Sequence, residues 1–456
     1  MQILGTSVGL DRDGIKAWIL NETQKHKDFF DAILCDSMPR QSALLLLRES
    51  GVMRFNHLAR TLPPALTYDS IASFDDNILD VFQAKFDLVD PNDEAKQQIQ
   101  LPCRHSGLGL AAQSNVVHHA YWSAGIGTLE DMKFLFQDED SFGDSDHLPF
   151  VNDMITSLNW LQAAGIPIAP AENALLPESI DGALQFYSTH EHTRNLQSAL
   201  ANHSATARFT SFKDALPQPS LARVLSASGP GAAAWLKVFP SEEYIMPDTF
   251  FTLAVRLRLG IPLHNALPRF CTCREDMHAR PAHLLSCRYT RHAATSYTHD
   301  VIKFAIARIC RLLHINAASE PKYCKGSRPD IDIFFDITDH ILLDVSMINP
   351  SAKSYTHISH TALGAAAARE RFKINYHKAL AREEKAKIVP FVLESFGAFG
   401  ESARKFISRL AAEAADNTKL YTRSEVHSML VNTCSFLLQL GNARVIRNRV
   451  TYLCRA

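Results

Sequence analysis

Apolar positions in the first half of the chain recur at helical spacing, as across residues 15–47 and 77–86, with a buried helical turn over residues 44–47. The pattern predicts a mainly α N-terminal half. Beyond residue 293 the periodicity changes. Residues 299–313 still repeat as a helix, 319–324 are expected as a short strand, and 328–337 is an alternating run rich in Ile and Phe. Thr338 and Asp339 read as a turn, and residues 340–348 form a nearly unbroken apolar run, so 328–348 is predicted to be a hairpin. An Ala-rich helix over 359–385, a strand over 387–395 and helices over 401–415 and 424–440 follow, the last ending at Gly441. That order predicts an α/β sandwich in the C-terminal part.

The hairpin carries the chemistry. Asp330 stands at the start of its first strand, after Arg328 and Pro329, and Asp344 lies fourteen residues later inside the second. Two carboxylates on neighbouring strands are hard oxygen donors of the kind that hold Mg²⁺ or Mn²⁺, and such an ion would activate water for phosphodiester cleavage. Equally, Asp330 could cap a strand and Asp344 could be a strand-end charge, although a lone carboxylate between Leu343 and Val345 is costly to bury. Catalysis would also need a cation to offset charge developing on the phosphate. Ser346 occupies the position two residues after Asp344 where a Lys would serve. Lys373, which shares a helix face with Tyr376 at i, i+3, is the best substitute, with Lys353 and Lys378 as competitors.

Upstream, Cys271 and Cys273, then His283 and Cys287, supply thiolate and imidazole donors suited to a closed tetrahedral zinc site, with His278 as a rival ligand. The alternative is that these are ordinary small apolar cysteines of a reduced protein.

Composition narrows the partners. The chain has 456 residues, 46% hydrophobic and 21% charged. It can therefore bury more than one core, in about two to four domains. With 47 basic against 48 acidic side chains it is no bulk polycation. Residues 256–313, however, hold ten Lys or Arg against three acidic residues. Arg269, Arg274, Arg280, Arg288 and Arg291 cluster there, either to contact nucleic-acid phosphates or as a solvated face. The tail arginines Arg444, Arg447, Arg449 and Arg455 leave the same two options open. Nine cysteines, an odd number with no secretory leader, predict a reducing compartment in which Cys35, Cys103, Cys310, Cys324, Cys434 and Cys454 are free thiols. No apolar run reaches the roughly eighteen residues of a membrane span.

Other features invite bland readings. Gly5, Ser7 and Gly9 form a Gly-x-Ser-x-Gly with no room for a preceding strand, so no hydrolase elbow is expected. Phe74, Asp75 and Asp76 read as a helix-start acidic pair. Trp122, Trp160 and Trp235 are expected in the core, and residues 226–231 read as a linker.

Taken together, Gly326 to Ile331, Leu343 to Ser346, the Ala-rich helix with Lys373 and Tyr376, Val389 and Pro390, and the strand leading to Gly397 resemble the restriction-like endonuclease of non-LTR retrotransposons. This is a PD-(D/E)XK nuclease in which the Lys is displaced onto the following helix. The resemblance implies that Asp330 and Asp344 are ligands of Mg²⁺ or Mn²⁺, that Lys373 is the catalytic cation, and that Tyr376 stands beside it. It implies an α/β domain with a mixed sheet whose first helix carries His299 and Asp300 in a structural role. A Cys-Cys-His-Cys knuckle immediately before the endonuclease, matched by Cys271, Cys273, His283 and Cys287, implies Zn²⁺. More weakly, Leu4, Gly5 and Gly9, the helix over 41–48, Arg60 followed by Pro63 and Pro64, and residues 101–104 leading into 107–110 resemble the thumb of the element's reverse transcriptase and the segment beyond it. The expected divisions are thus a thumb-like region over 1–115, a helical linker over 116–235, a connector and zinc knuckle over 236–292, the endonuclease over 293–415, and a C-terminal helix and basic tail over 416–456. No polymerase palm motif occurs, so the chain is expected to be the C-terminal part of a larger product. The implied partners are target DNA and element RNA, without a membrane, and the implied location is intracellular and nuclear. A nucleic-acid-binding remnant without cleavage is the other expectation.

Overall fold

The computed structural model describes residues 2–9, 11–135, 149–166, 195–289, 296–321, 328–336, 338–418 and 420–455. The chain divides into two compact units. One comprises Met1–Asp90, Ile99–Pro102 and Gly109–Phe212, the other Pro91–Gln98, Cys103–Leu108 and Lys213–Ala456.

Among its described residues, the first unit is helical apart from a hairpin of β1, Gln2–Ile3, and β2, Thr6–Ser7. A two-residue strand therefore does precede Gly5, contrary to expectation, but Gly5, with a left-handed φ of 78°, only turns the hairpin. Helices α1 (Arg12–Gln24), α2 (Lys27–Leu34), α3 (Arg40–Leu46), α4 (Asn56–Thr61) and α5 (Pro64–Lys85) follow. Asp75 is not at a helix start. It is buried in the middle of α5, where its carboxylate accepts the N–H groups of Gln113 (2.8 Å) and Ser114 (2.9 Å). After α6 (Asp93–Gln100), most of which belongs to the second unit, helices α7 (Val117–Leu135), α8 (Pro149–Ala163) and α9 (Leu196–Asp214) supply a core around Trp122, Met154, Leu158 and Leu200. Trp160 departs from the core expectation: it is 38% exposed and stacks on His118 at 4.6 Å.

The second unit contains the α/β core. Its early helices are α10 (Gln218–Ala227), α11 (Ala234–Lys237) and α12 (Asp248–Leu259). The expected linker at 226–231 is instead a packed turn. A Cβ on Gly229 would stand 2.5 Å from Ala398 and one on Gly231 2.4 Å from Phe399, so glycine is what lets the backbones approach. Helix α13, Ser296–Leu312, leads into a four-stranded sheet of β3 (Asn316–Ser319), β4 (Ile331–Phe334), β5 (His340–Ile348) and β6 (Lys387–Glu394), in that order. The sheet is mixed: β3, β4 and β5 pair antiparallel, and β5 pairs parallel with β6. The first strand lies earlier than the expected 319–324 because Glu320 turns to a left-handed φ of 53°, its N–H bonded to Asp330 O; residues 322–327, with Cys324, lie outside the described residues.

Side chains alternate across the sheet. Ile341, Leu343 and Val345 of β5, with Phe391 and Leu393 of β6, pack against α13, α16 (Glu401–Thr418) and α17 (Arg423–Arg455). The opposite face meets α14, Gly364–Tyr376, through Ile348, Val392, Ala365 and Ala366, and α15, Lys378–Glu383, through Leu342 and Leu380. The Ala-rich segment is shorter than the expected 359–385 and broken. Leu363 adopts a left-handed φ of 60°, a Cβ on Gly364 would stand 2.3 Å from Ile358 O, and the helix is interrupted at His377. Two buried glutamates set these helices. Glu394 accepts the Ala366 N–H at 3.2 Å, and Glu370 accepts the Ser402 N–H at 2.9 Å, placing negative charge at both helix N-termini. Burial nonetheless raises the pKa of both carboxyls.

Gly441 does not stop the last helix, which runs 33 residues from Arg423 to Arg455. Its role is close approach: a Cβ there would stand 2.4 Å from Thr298 Oγ1 on α13. The N-terminal half of α17 packs on the sheet core, and Ala443, Ile446 and Val450 pack in the cluster around Cys271 and Cys287. Arg449 of the expected basic tail is 1% exposed and donates to Leu284 O. Gly441→Leu is expected to destabilise the unit by about 1–3 kcal/mol through overpacking, despite leucine's higher helix propensity. Denaturant unfolding of the full chain measures it, and an unchanged stability would mean that α13 and α17 are not in this close contact.

Candidate functional site

The four expected zinc donors converge. An antiparallel bridge between Phe270 and Asp276 closes a tight turn in which Arg274 N donates to Cys271 O (2.7 Å) and Arg274 takes a left-handed φ of 66°. This brings Cys271 and Cys273 to the same side. His283 comes from a 3-10 turn, Pro281–Leu285, and Cys287 from just beyond it. Cys271 Sγ is 3.6 Å from Cys287 Sγ, which is 3.9 Å from Cys273 Sγ; Cys273 Sγ is 3.0 Å from His283 Nε2. All four donor atoms lie within 4.8 Å of one another. Sulfurs about 2.3 Å from one tetrahedral zinc would be about 3.7 Å apart, so the donor set fits zinc in type and spacing. Burial pushes the Cys271 thiol up to about 11. His278, the rival ligand, is exposed outside the cluster.

The knuckle is fastened to the chain that leaves β5. Glu275 pairs with Arg280 (2.8 Å) and Lys353 (2.7 Å), Arg280 also donates to Ser351 O (2.6 Å), and Asn349 Nδ2 donates to Ala282 O (2.9 Å). This changes the reading of the basic cluster. Arg280 is a clamp, and Arg269 is exposed but bonded to Asp276 at 2.9 Å; Arg274 and Arg288 are exposed, and Arg291 lies outside the described residues.

The second constellation centres on Asp344, in the middle of β5 and 2% exposed. Its side chain faces α14, as does that of Ser346 two residues on. Three residues of the helix segment, spaced i, i+4, i+8, meet these two. Arg369 Nε donates to Ser346 Oγ at 3.1 Å, Lys373 Nζ lies 2.7 Å from Asp344 Oδ1, and His377 Nε2 donates to Asp344 Oδ2 at 2.6 Å. Burial pulls the Asp344 carboxyl pKa upward, but the hydrogen bonds from His377 and Lys373 outweigh it and hold the group below the ordinary carboxylate range. Lys353, a competitor for the role of Lys373, is engaged with Glu275.

Asp330 directly precedes β4. Its N–H donates to Leu343 O (3.0 Å) and its Oδ2 accepts the Val345 N–H (2.7 Å), which ties it to the segment around Asp344. His299 Nε2 on α13 donates to the same oxygen at 3.0 Å, while His299 Nδ1 meets Asp300 at 3.0 Å. The hydrogen bond to Asp330 raises the His299 pKa. Two carboxylates on adjoining segments are in kind a donor set for a hard divalent cation, completed by water. Among the described residues, the one group of three or more His, Cys, Asp or Glu donors converging on a point is the Cys/His set, so the acidic pair offers only part of a coordination shell.

His377 is the site residue that sequence reading passed over, and its i, i+4 spacing from Lys373 was the available signal. Among the described residues no hydrogen bond joins Tyr376 to either carboxylate; the residue is 58% exposed, its ring stacked with Phe372 and edge-on to His377. No protein-family model matches the chain, and no curated protein matches it. No helix among the described residues is long and apolar enough to cross a membrane.

Two outcomes follow. Purified protein should hold about one zinc per chain, lost in Cys287→Ser together with local order, as read by metal analysis and by unfolding in chelator; a zinc-free, fully folded protein contradicts the assignment. For Asp344, the folded-state pKa is depressed. Its stabilisation is therefore present above the ordinary carboxylate value of about 3.9 and is lost as pH falls through the lower folded value. Asp344→Asn should cost about 3–5 kcal/mol at neutral pH by leaving the part-buried Lys373 amine without its carboxylate partner, and should flatten the acid limb of the stability curve. An acid limb identical to the wild type would remove Asp344 as its source.

Proposed function

We propose that the second unit is a metal-dependent DNA endonuclease, stabilised by a structural zinc, that nicks target DNA during retrotransposition and can meet element RNA in the nucleus. The observation that carries this reading is the Lys373 amine, 2.7 Å from the buried Asp344 carboxylate and delivered from the following helix. A carboxylate inside an apolar strand with a lysine aimed at it is costly as architecture and useful as chemistry. Asp330 and Asp344 are the residues that would hold Mg²⁺ or Mn²⁺, which when bound supplies Lewis acidity and an activated water. Lys373 brings positive charge to the place where a scissile phosphate gains negative charge. His377 holds the Asp344 carboxylate in one orientation, and His299 with the Val345 N–H does the same for Asp330. Exposed Arg274 and Arg288 are available to the phosphate backbone.

A second reading has its own support. Asp344 is already matched by two cationic or hydrogen-bonding partners at 2% exposure, a state that also suits a structural ion cluster in a nucleic-acid-binding remnant.

Nicking of supercoiled duplex DNA by the full chain is expected to require Mg²⁺ or Mn²⁺. The rate should fall at least on the order of 10²–10³-fold in Lys373→Ala and further in Asp344→Ala, while DNA binding persists. Folded Asp344→Ala that nicks at the wild-type rate would rule out the site. Wild type that binds DNA in the presence of Mn²⁺ without cutting it would favour the remnant.

A further inference from the structure

Helix α14 presents a second feature on the side turned away from the sheet. Phe372 and Tyr376, one turn apart, are 54% and 58% exposed, and their rings lie nearly parallel, 13° between planes with centroids 6.0 Å apart. Two large exposed aromatics stacked on each other bury little and are a poor use of surface for folding alone. Their surroundings are cationic. The Arg369 guanidinium sits over the Phe372 ring at 5.1 Å, and residues 369–384 contain Arg369, Arg371, Lys373, Lys378 and Arg382 against Glu370, which is buried and occupied at the start of α16, and Glu383 and Glu384 at the far end of α15. The pair also adjoins the carboxylate. Tyr376 is edge-on to His377 at 4.9 Å, and His377 Nε2 is 2.6 Å from Asp344.

Flat apolar rings within a basic surface match a ligand with flat apolar faces and a polyanionic backbone, which is the chemistry of an unstacked nucleic-acid strand. A duplex buries its base faces and could offer this surface only phosphates. We propose that Phe372 and Tyr376 form a stacking platform for an unpaired base of the strand held at Asp344, with Arg369, Arg371 and Lys378 receiving the flanking phosphates. The substrate class is therefore DNA with a locally opened or single-stranded segment beside the scissile phosphate. The inference rests on the nuclease reading for the role of Asp344, but the platform itself is a binding property. It also reassigns Tyr376: the ring, rather than the hydroxyl, does the work.

Binding of a short single-stranded oligonucleotide carrying 2-aminopurine to the full chain, with no added divalent ion, tests the platform separately from cleavage. Stacking quenches the fluorophore. Wild type and Tyr376→Phe should bind with the same quenching, whereas the exposed-site double variant Phe372→Ala/Tyr376→Ala should lose the quenching and bind on the order of ten- to a hundred-fold more weakly. Circular dichroism should show the double variant folded, since neither ring is in the core. Undiminished quenching and affinity in the double variant would overturn the proposal while leaving the nuclease reading intact. Absence of oligonucleotide binding by wild type would overturn it too and point to a protein occupant. Should wild type quench yet nick no DNA under any metal, the platform stands and the nuclease reading fails.

Discussion

One buried charge organises the C-terminal unit. Strand β5 pairs on both edges and is covered on both faces, so its side chains are nearly all apolar, and Asp344 in its middle can remain ionised only if partners come to it. They come from α14, and this demand explains the local irregularities of that helix. Ala365 and Ala366 let its first turn lie close to Val392 and Ile348, and Glu394 fixes its N-terminus. Lys373 and His377 then arrive above Asp344 one turn apart, and the helix breaks at His377, whose ring is turned inward with 1% of its side chain exposed.

A second constraint ties this core to the metal-ligand cluster. The segment leaving β5 supplies Asn349, Ser351 and Lys353 to the knuckle, and the long α17 packs against both. A helix of that length, about 50 Å at the usual rise, makes one cooperative unit of what would otherwise be a small metal-held loop beside a sheet. Gly441 marks the place where the close crossing with α13 leaves no room for a side chain. The glycines at 229 and 231 do the same where the turn after α10 meets residues 398 and 399. Glycines that look like breaks along the chain are therefore contact points in space.

Much of the α/β core was legible beforehand because each element buries a face whose period survives in one dimension. Strand β6, helices α13 and α16, and the hairpin of β4 and β5 sit within a few residues of their expected places. The ends were less legible. Where β3 stops depends on a left-handed residue at Glu320, and where α14 starts depends on Leu363 and Gly364, neither of which leaves a hydrophobic signature. The chemistry was legible to the extent that it needs rare residue types at fixed spacing. The Cys-x-Cys and His-x3-Cys spacing named a candidate metal set beside the alternative of ordinary apolar cysteines, and a carboxylate within an apolar strand stood out as costly to bury.

What the sequence alone determined, then, are donor types and periods: which residues could bind a soft metal, which carboxylates are out of place, and which segments are helix or strand. Choosing among like candidates was left to the tertiary structure. Lys373 rather than Lys353 meets Asp344, His377 joins it, His299 reaches Asp330, and Arg280 and Arg449 become internal clamps instead of a phosphate-facing surface. The physical reason is that charge pairing acts over a few ångströms of space, and only the packing of α13, α14 and α17 around the sheet decides which distant side chains come that close.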